Sequence, residues 1–400
     1  MDRHEIIKQI VTPNTSKLVL LVMDGLGDIP VDGKTPLMAA KTPNLDSLAR
    51  ESELGQTIPV FPGITPGSGP GHLSLFGYDP IKYQIGRGIL EALGVGVEVG
   101  ELDVVARGNF ATIKDGIVID RRAGRPPTEE SAKVVQILSK NIKDIEGVKI
   151  TFYPGKEHRF VVKFTGEELD DEITDADPQK EGKEMEWAKP LKPEAEKMAN
   201  VVNKLIEKIG EVLKDQPKMN WALLRGFSKY PKLPQFSDVY KLKAAAIATY
   251  PMYKGIAKLV GMEVLETGTT VEDEFNTLQK HWNEYDFFYV HIKKTDSYGE
   301  DGNFDAKVKV IEEVDKFIPK LLALNPDVVV VTGDHSTPCA MKSHSWHPVP
   351  YLIKSKFARK GLSNKFDEFE CARGTLSTFY AVDSMSLMLA HAGRLEKYGA

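Results

Sequence analysis

The sequence predicts an α/β protein, a doubly wound core domain interrupted by an inserted α+β domain. Three observations carry that expectation. Strand-length apolar runs near residue 20 and beyond residue 240 each end in a loop rich in acidic residues or histidine. Helical patterns alternate with those later runs, as in a parallel sheet with crossover helices. The middle of the chain instead pairs strand-like runs across tight-turn residues.

Residues 17–23 (KLVLLVM) form a continuous aliphatic run, which suits a strand buried on both faces of a parallel sheet. The run ends at Asp24-Gly25-Leu26-Gly27-Asp28. Thr42-Pro43 predicts a helix start, a hydroxyl N-cap followed by proline at the first helical position. Leu45, Leu48 and Ala49 then recur at helical spacing. Residues 60–71 (VFPGITPGSGPG) read as loop and lead into a short apolar stretch, 72–76. In the middle, 110–113 and 117–120 flank Lys114-Asp115-Gly116, and 148–153 and 160–164 flank Pro154-Gly155, giving two hairpins. Helical patterns cover 129–138 and 194–213, and the acidic stretch 167–189 reads as a solvated loop. Alternation of strand and helix resumes with 244–248 before 251–260, and 286–292 (DFFYVHI) before 305–324. Residues 327–332 (DVVVVT) run straight into Gly333-Asp334-His335. The expected division is a core of 1–100 with 244–400 and an insert of 101–243.

Composition bounds the function. The 400 residues hold 52 Lys+Arg against 57 Asp+Glu, a net charge of -5, so no broad basic surface is available for nucleic acid or anionic lipid. No apolar run reaches the length of a membrane span. Two cysteines, Cys339 and Cys371, cannot build a disulfide framework, and the first ten residues lack the apolar stretch of a signal peptide. These features point to a cytoplasmic, multidomain enzyme.

The candidate chemistry gathers in loops after predicted strands: Asp24, Asp296, Glu300, Asp334, His335 and His344. Singly, each has a plainer reading: Asp24 as a helix cap in a common Asp-Gly turn, His344 and His347 as surface histidines. Together they form a carboxylate and imidazole set that suits Mn²⁺, Zn²⁺ or a similar ion, and is large enough for two. Two-metal sites stabilise the attacking and leaving oxygens of phosphoryl displacement. Ser68, between small residues in Pro66-Gly67-Ser68-Gly69-Pro70-Gly71-His72, is the candidate nucleophile, activated by a metal contact. The plain alternative is a flexible loop.

These motifs resemble the archaeal-type branch of cofactor-independent phosphoglycerate mutases, within the alkaline phosphatase superfamily. The resemblance spans nearly the whole chain. It rests on Val22-Met23-Asp24-Gly25, Thr42-Pro43-Asn44-Leu45-Asp46, Gly67-Ser68-Gly69-Pro70-Gly71-His72-Leu73 and His291-Ile292-Lys293-Lys294-Thr295-Asp296. It continues through Thr332-Gly333-Asp334-His335-Ser336-Thr337-Pro338 and His344-Ser345-Trp346-His347-Pro348-Val349-Pro350. It implies one metal site of Asp24, Ser68, Asp334 and His335, and a second of Asp296, His344 and the residue four after Asp296. Relatives carry histidine there, whereas this chain carries Glu300, with His347 nearby as an alternative ligand. The implied cofactors are two divalent ions, Mn²⁺ foremost, with Zn²⁺, Co²⁺ or Mg²⁺ as alternatives.

The implied reaction interconverts 2- and 3-phosphoglycerate, in glycolysis and gluconeogenesis, through a phosphoserine on Ser68. Arg122, Arg125 and Arg225 on the insert, with Arg107, Arg121 and Lys229 as further cations, fit a substrate-binding role, and Lys254 a cation near the phosphoryl group. His72 is expected to support the site rather than ligate. Rival readings are a metal-dependent phosphohydrolase, a phosphotransferase to another small hydroxyl compound such as homoserine, or a binding module with an inactive metal core.

Overall fold

The computed structural model describes residues 2–399. Along the chain, α1 (Arg3–Ile10), β1 (Leu18–Met23), α2 (Pro36–Ala39), α3 (Pro43–Arg50), β2 (Ser52–Ile58) and α4 (Ser68–Leu75) come first. A second group follows: α5 (Arg87–Gly94), β3 (Asp103–Lys114), β4 (Ile117–Asp120), α6 (Thr128–Asn141), β5 (Asp144–Ile145), β6 (Val148–Pro154), β7 (Arg159–Thr165), β8 (Lys183–Glu184), α7 (Glu196–Leu213) and β9 (Trp221–Lys229). The last part holds α8 (Phe236–Tyr240), β10 (Ala244–Ile247), α9 (Pro251–Leu259), β11 (Glu263–Val264), α10 (Val271–Lys280), β12 (Phe287–Ile292) and α11 (Lys294–Asp301). It closes with α12 (Phe304–Leu322), β13 (Val328–Thr332), β14 (Val349–Ser355), α13 (Glu368–Ala372), β15 (Ser377–Tyr380) and α14 (Ser384–His391).

Contacts divide the chain into two compact units. One comprises the residues up to Gln84 and from Leu233 onward, and the other is Ile85–Lys232. The seams lie at 84/85 and 232/233, not at 100/101 and 243/244. α5 packs against β3 and β9, which ties it to the second unit, while α8 packs against α1 in the first.

The first unit is built on an eight-stranded sheet in the order β11-β10-β12-β1-β13-β14-β2-β15. Every residue of β1, β12 and β13 is buried, in keeping with their largely apolar sequences. β1 pairs in parallel with β12 on one side and β13 on the other, Met23 opposite Ile292 and Val22 opposite Thr332. The carboxyl ends of three strands therefore open into one crevice, where α/β sheets place their sites. β14 runs antiparallel to both β13 and β2, so the sheet is mixed.

The start of α3 shows sequence and structure parting locally. Thr42 is the N-cap as expected, but its side chain makes no capping hydrogen bond. The Asp315 carboxylate on α12 instead accepts from the Leu45 N–H at 2.7 Å and the Asn44 N–H at 3.3 Å. Pro319, inside α12, has no N–H to offer the Asp315 carbonyl four residues earlier. The Asn44 side-chain amide donates to that carbonyl at 3.1 Å. Each helix thus satisfies backbone groups that the other leaves open.

In the second unit, strands run β5-β6-β7-β3-β4-β8, with β9 pairing to β3. Asp115 and Gly116 both have positive φ, the two-residue turn a hairpin of this twist prefers. Phe110, Phe160 and Phe164 pack with Leu138 of α6 and Leu205 and Ile209 of α7 in one core. Among the described residues no helix is long and apolar enough to cross a membrane.

Candidate active site

Asp24 begins where β1 ends, its N–H donating to the Ile292 carbonyl of β12 at 2.9 Å. The chain must then turn at once. Gly25 has φ +61, and a Cβ there would lie 2.9 Å from the Asp296 Cβ, so glycine permits both the turn and the approach. Asp24 is fully buried and accepts from His291 Nε2 at 3.0 Å and Lys293 Nζ at 3.2 Å. Burial opposes its ionisation, but Lys293, His291 and His335 overcome that and hold its carboxyl well below the usual range.

Two groups share one histidine. The potential ligand atoms of Asp24, Asp334 and His335 lie within 4.8 Å of one another, as do those of Asp296, His335 and His344. Tautomers follow from the surroundings. The Thr337 hydroxyl donates to Asp296 Oδ1 at 2.6 Å, so His335 Nδ1, 3.0 Å from the Thr337 hydroxyl oxygen, donates to that hydroxyl. His335 Nε2 then faces Asp24 Oδ1 at 3.3 Å and Asp334 Oδ2 at 3.2 Å. In the same way His344 Nδ1 donates to the Pro66 carbonyl at 3.0 Å, leaving Nε2 3.5 Å from Asp296 Oδ1. The two rings stack with centroids 3.7 Å apart. Burial favours a neutral His335 ring, yet Asp334, Asp24 and Asp296 push it up to about 9.

The donor set fits a divalent cation. Asp24 Oδ1 and Asp334 Oδ2 are buried without a hydrogen-bond partner, although imidazole nitrogens lie close by. Such orphaned carboxylate oxygens are costly unless a cation takes them up.

Ser68 is the first residue of α4, whose backbone N–H groups open toward an anion. Gly71 lets this helix approach, since a Cβ there would sit 2.5 Å from the Asp334 carbonyl oxygen. Ser68 Oγ lies 3.3 Å from His335 Nε2 and accepts from the Tyr253 hydroxyl at 3.4 Å. Lys293 Nζ donates in turn to Tyr253 at 2.9 Å and to Asp296 Oδ2 at 2.5 Å.

Tyr253 and Lys293 were not among the expected site residues. Lys293 stands three residues before Asp296, so both face the same side of the chain as it enters α11, a spacing that could have flagged it. His72 lies beneath Ser68, its Nδ1 donating to the Ser68 carbonyl at 2.8 Å.

Other expected residues are placed differently. Glu300 is exposed, 3.7 Å from His344 Nε2, and belongs to neither close group. His347 turns to Ser345 Oγ at 2.9 Å and stacks on Trp346. Lys254, half-buried on α9, pairs with no carboxylate among the described residues, whereas Lys293 meets two.

The second unit carries a cavity of about 120 Å³ lined by Arg107, Arg121, Arg122, Arg125, Arg159 and Arg225, with Asn109, Glu157 and His158. Arg121 is engaged by Asp177 through two hydrogen bonds, at 2.7 and 3.1 Å. Arg122 and Arg125 are exposed and form no ion pair among the described residues. The Nε atoms of Arg159 and Arg225 are buried without partners. Burial, then the Arg159 charge, lowers Arg107 to about 10, and burial with Arg159 and Arg107 pushes His158 down to about 4. The cavity is a concentration of unspent positive charge suited to a small polyanion.

Relatives bear on the whole chain. Residues 49–219 match the family model described as 2,3-bisphosphoglycerate-independent phosphoglycerate mutase. The chain is 72% identical over 400 residues to a protein of Thermotoga neapolitana named as a probable 2,3-bisphosphoglycerate-independent phosphoglycerate mutase, covering 100% of both. It is 53% identical over 406 residues to one of the same name from Thermus thermophilus, again covering 100% of both. Among solved structures, a Pyrococcus horikoshii protein superposes with a TM-score of 0.81 at 31% identity, covering 97% of this chain and 100% of that one. The cofactor-independent phosphoglycerate mutase from Thermoplasma acidophilum gives 0.76 at 31% identity, covering 94% and 100%. The chain therefore belongs to the 2,3-bisphosphoglycerate-independent phosphoglycerate mutase family of isomerases.

Proposed function

We propose that this chain interconverts 2- and 3-phosphoglycerate through a phosphoserine on Ser68, with two divalent metal ions, Mn²⁺ foremost. The observation that carries the reading is the Ser68 hydroxyl at a helix N-terminus, 3.3 Å from His335 Nε2 and beside carboxylate oxygens left without donors. Asp24, Asp334, His335 and Ser68 would hold one ion, and Asp296 and His344 the other, with Glu300 nearby. Bound there, such ions would neutralise phosphoryl oxygens and lower the pKa of the Ser68 hydroxyl.

The chain's own groups do the rest. Ser68 Oγ attacks phosphorus in line, the bond from phosphorus to the substrate ester oxygen breaks, the Ser68 ester forms, and the proton lost by Ser68 balances the one the departing oxygen takes up as a hydroxyl. Return to the neighbouring hydroxyl of glycerate reverses the step. Tyr253, held by Lys293, donates to Ser68 Oγ and so fixes which lone pair faces the phosphorus. Arg122, Arg125 and Arg225 bind the anionic groups of the substrate as bidentate forks, with Lys254 a further cation for the phosphoryl group. The two free, buried cysteines support a cytoplasmic setting, and the reaction belongs to glycolysis and gluconeogenesis.

The test is turnover of 3-phosphoglycerate with Mn²⁺, coupled through enolase, with free phosphate followed in parallel. 2-Phosphoglycerate should form without phosphate release, and S68A should lower kcat by ~10⁴-fold or more. Phosphate appearing faster than 2-phosphoglycerate would instead identify a hydrolase.

A further inference from the structure

Beneath the carboxylate and imidazole cluster lies a lysine with no exposed surface. Lys307, near the start of α12, is 0% exposed. A buried ammonium is strongly disfavoured unless its protons all find acceptors. Here Nζ donates to the Gly25 carbonyl at 2.9 Å, the Thr337 carbonyl at 3.0 Å and Asp28 Oδ2 at 2.9 Å, with the Gly27 carbonyl at 3.4 Å. All four acceptors come from two loops, the one after β1 and the one after β13.

Those acceptors adjoin the cluster. Gly25 follows Asp24, and its N–H donates to Asp334 Oδ1 at 3.1 Å. Thr337 follows His335 by two residues, and its hydroxyl links His335 Nδ1 to Asp296 Oδ1. Asp28 is also bound by the Cys339 N–H, at 3.1 and 3.2 Å, so the carboxylate itself bridges the loops. Backbone pairing already joins them, the Thr337 N–H donating to the Gly27 carbonyl at 3.0 Å. The ammonium adds orientation rather than attachment: it aims the carbonyls of Gly25 and Thr337 inward, and through them sets the pitch of the adjoining side chains.

We propose that Lys307 is a positioning residue, a tethered cation that fixes the loops after β1 and β13 so that Asp24, Asp296, Asp334 and His335 converge at metal-binding distance. The proposal rests on reading the cluster as a metal centre. Partners behind the ligands commonly control metal affinity by ~10- to 100-fold, which sets the effect expected here.

The test measures Mn²⁺ affinity of the full chain without substrate, by the electron paramagnetic resonance of free Mn²⁺. Wild type failing to bind Mn²⁺ would overturn the metal reading itself. With wild type binding, K307M is expected to fold, by circular dichroism, and to bind about 10- to 100-fold more weakly. K307A should regain at least about fivefold in affinity with ethylammonium, which offers N–H donors, and none with tetramethylammonium, which has none. A folded K307M within about twofold of wild type would overturn the proposal, being well short of the expected loss. So would equal rescue by the two amines, or failure of both variants to fold, which would assign the lysine to the integrity of the fold.

Discussion

The two units handle charge in opposite ways. In the first, buried acids sit among cations: Asp24 and Asp296 both touch Lys293, and Asp24, Asp296 and Asp334 surround His335. In the second, six arginines line one cavity, and Asp177 takes up Arg121 and approaches Arg225 only at 3.8 Å. The first arrangement sets acids against cations, and its buried Asp24 and Asp334 carboxyls are held below their ordinary range. The second is only partly compensated, and Arg107 and Arg225 are depressed, chiefly by burial. A compensated cluster keeps a fixed geometry, whereas a surplus of one sign stores repulsion that an incoming anion relieves.

The comparison is sharpened most by an acid of the first unit that lacks such compensation. Glu368 accepts from the Thr35 hydroxyl and the Asp28 N–H, but burial raises its carboxyl to about 7. Between the ordinary value of 4.5 and about 7, the native state holds a proton that the unfolded chain has released. Stability should therefore fall by up to ~3 kcal/mol as pH rises through that window and level off above it. Urea unfolding at several pH values checks this, and E368Q should flatten the decline. In the second unit, R225M should raise KM for 3-phosphoglycerate by ~30-fold, about 2 kcal/mol, with kcat changed much less. An unchanged KM would break the comparison, because the surplus charge would then have no anion to meet. The smallest effect belongs to an acid whose partners are two backbone N–H groups and the Asn44 amide. D315N should lower stability by ~1 kcal/mol through the loss of the charged cap on α3, with Mn²⁺ affinity unchanged.

Much of the first unit was legible because buried parallel strands announce themselves. KLVLLVM, DFFYVHI and DVVVVT each became a fully buried strand to within a residue of the expected bounds. β2 was not legible: SELGQTI carries little apolar signal, and its burial is imposed by β14 on one side and β15 on the other. The hydroxyl cap at Thr42 failed for a similar reason, since a carboxylate 271 residues away along the chain reaches Asn44. Within the site, residues at strand ends could be read from position alone. Which lysine meets the carboxylates was signalled only by spacing, Lys293 standing three residues before Asp296 while Lys254 lies on α9. Arg159 escaped notice because it lies inside a strand rather than in the arginine-rich loop after β4.

The exchange between α3 and α12 makes three distant positions interdependent. Pro319 creates the open carbonyl at Asp315, Asn44 answers it, and Asp315 returns the favour at the start of α3. An ordinary residue at 319 would restore the missing N–H, leaving the Asn44 amide only its bond to the Asp315 carboxylate. Substitutions at these positions are thus epistatic: the effect of changing Asn44 depends on what occupies 319.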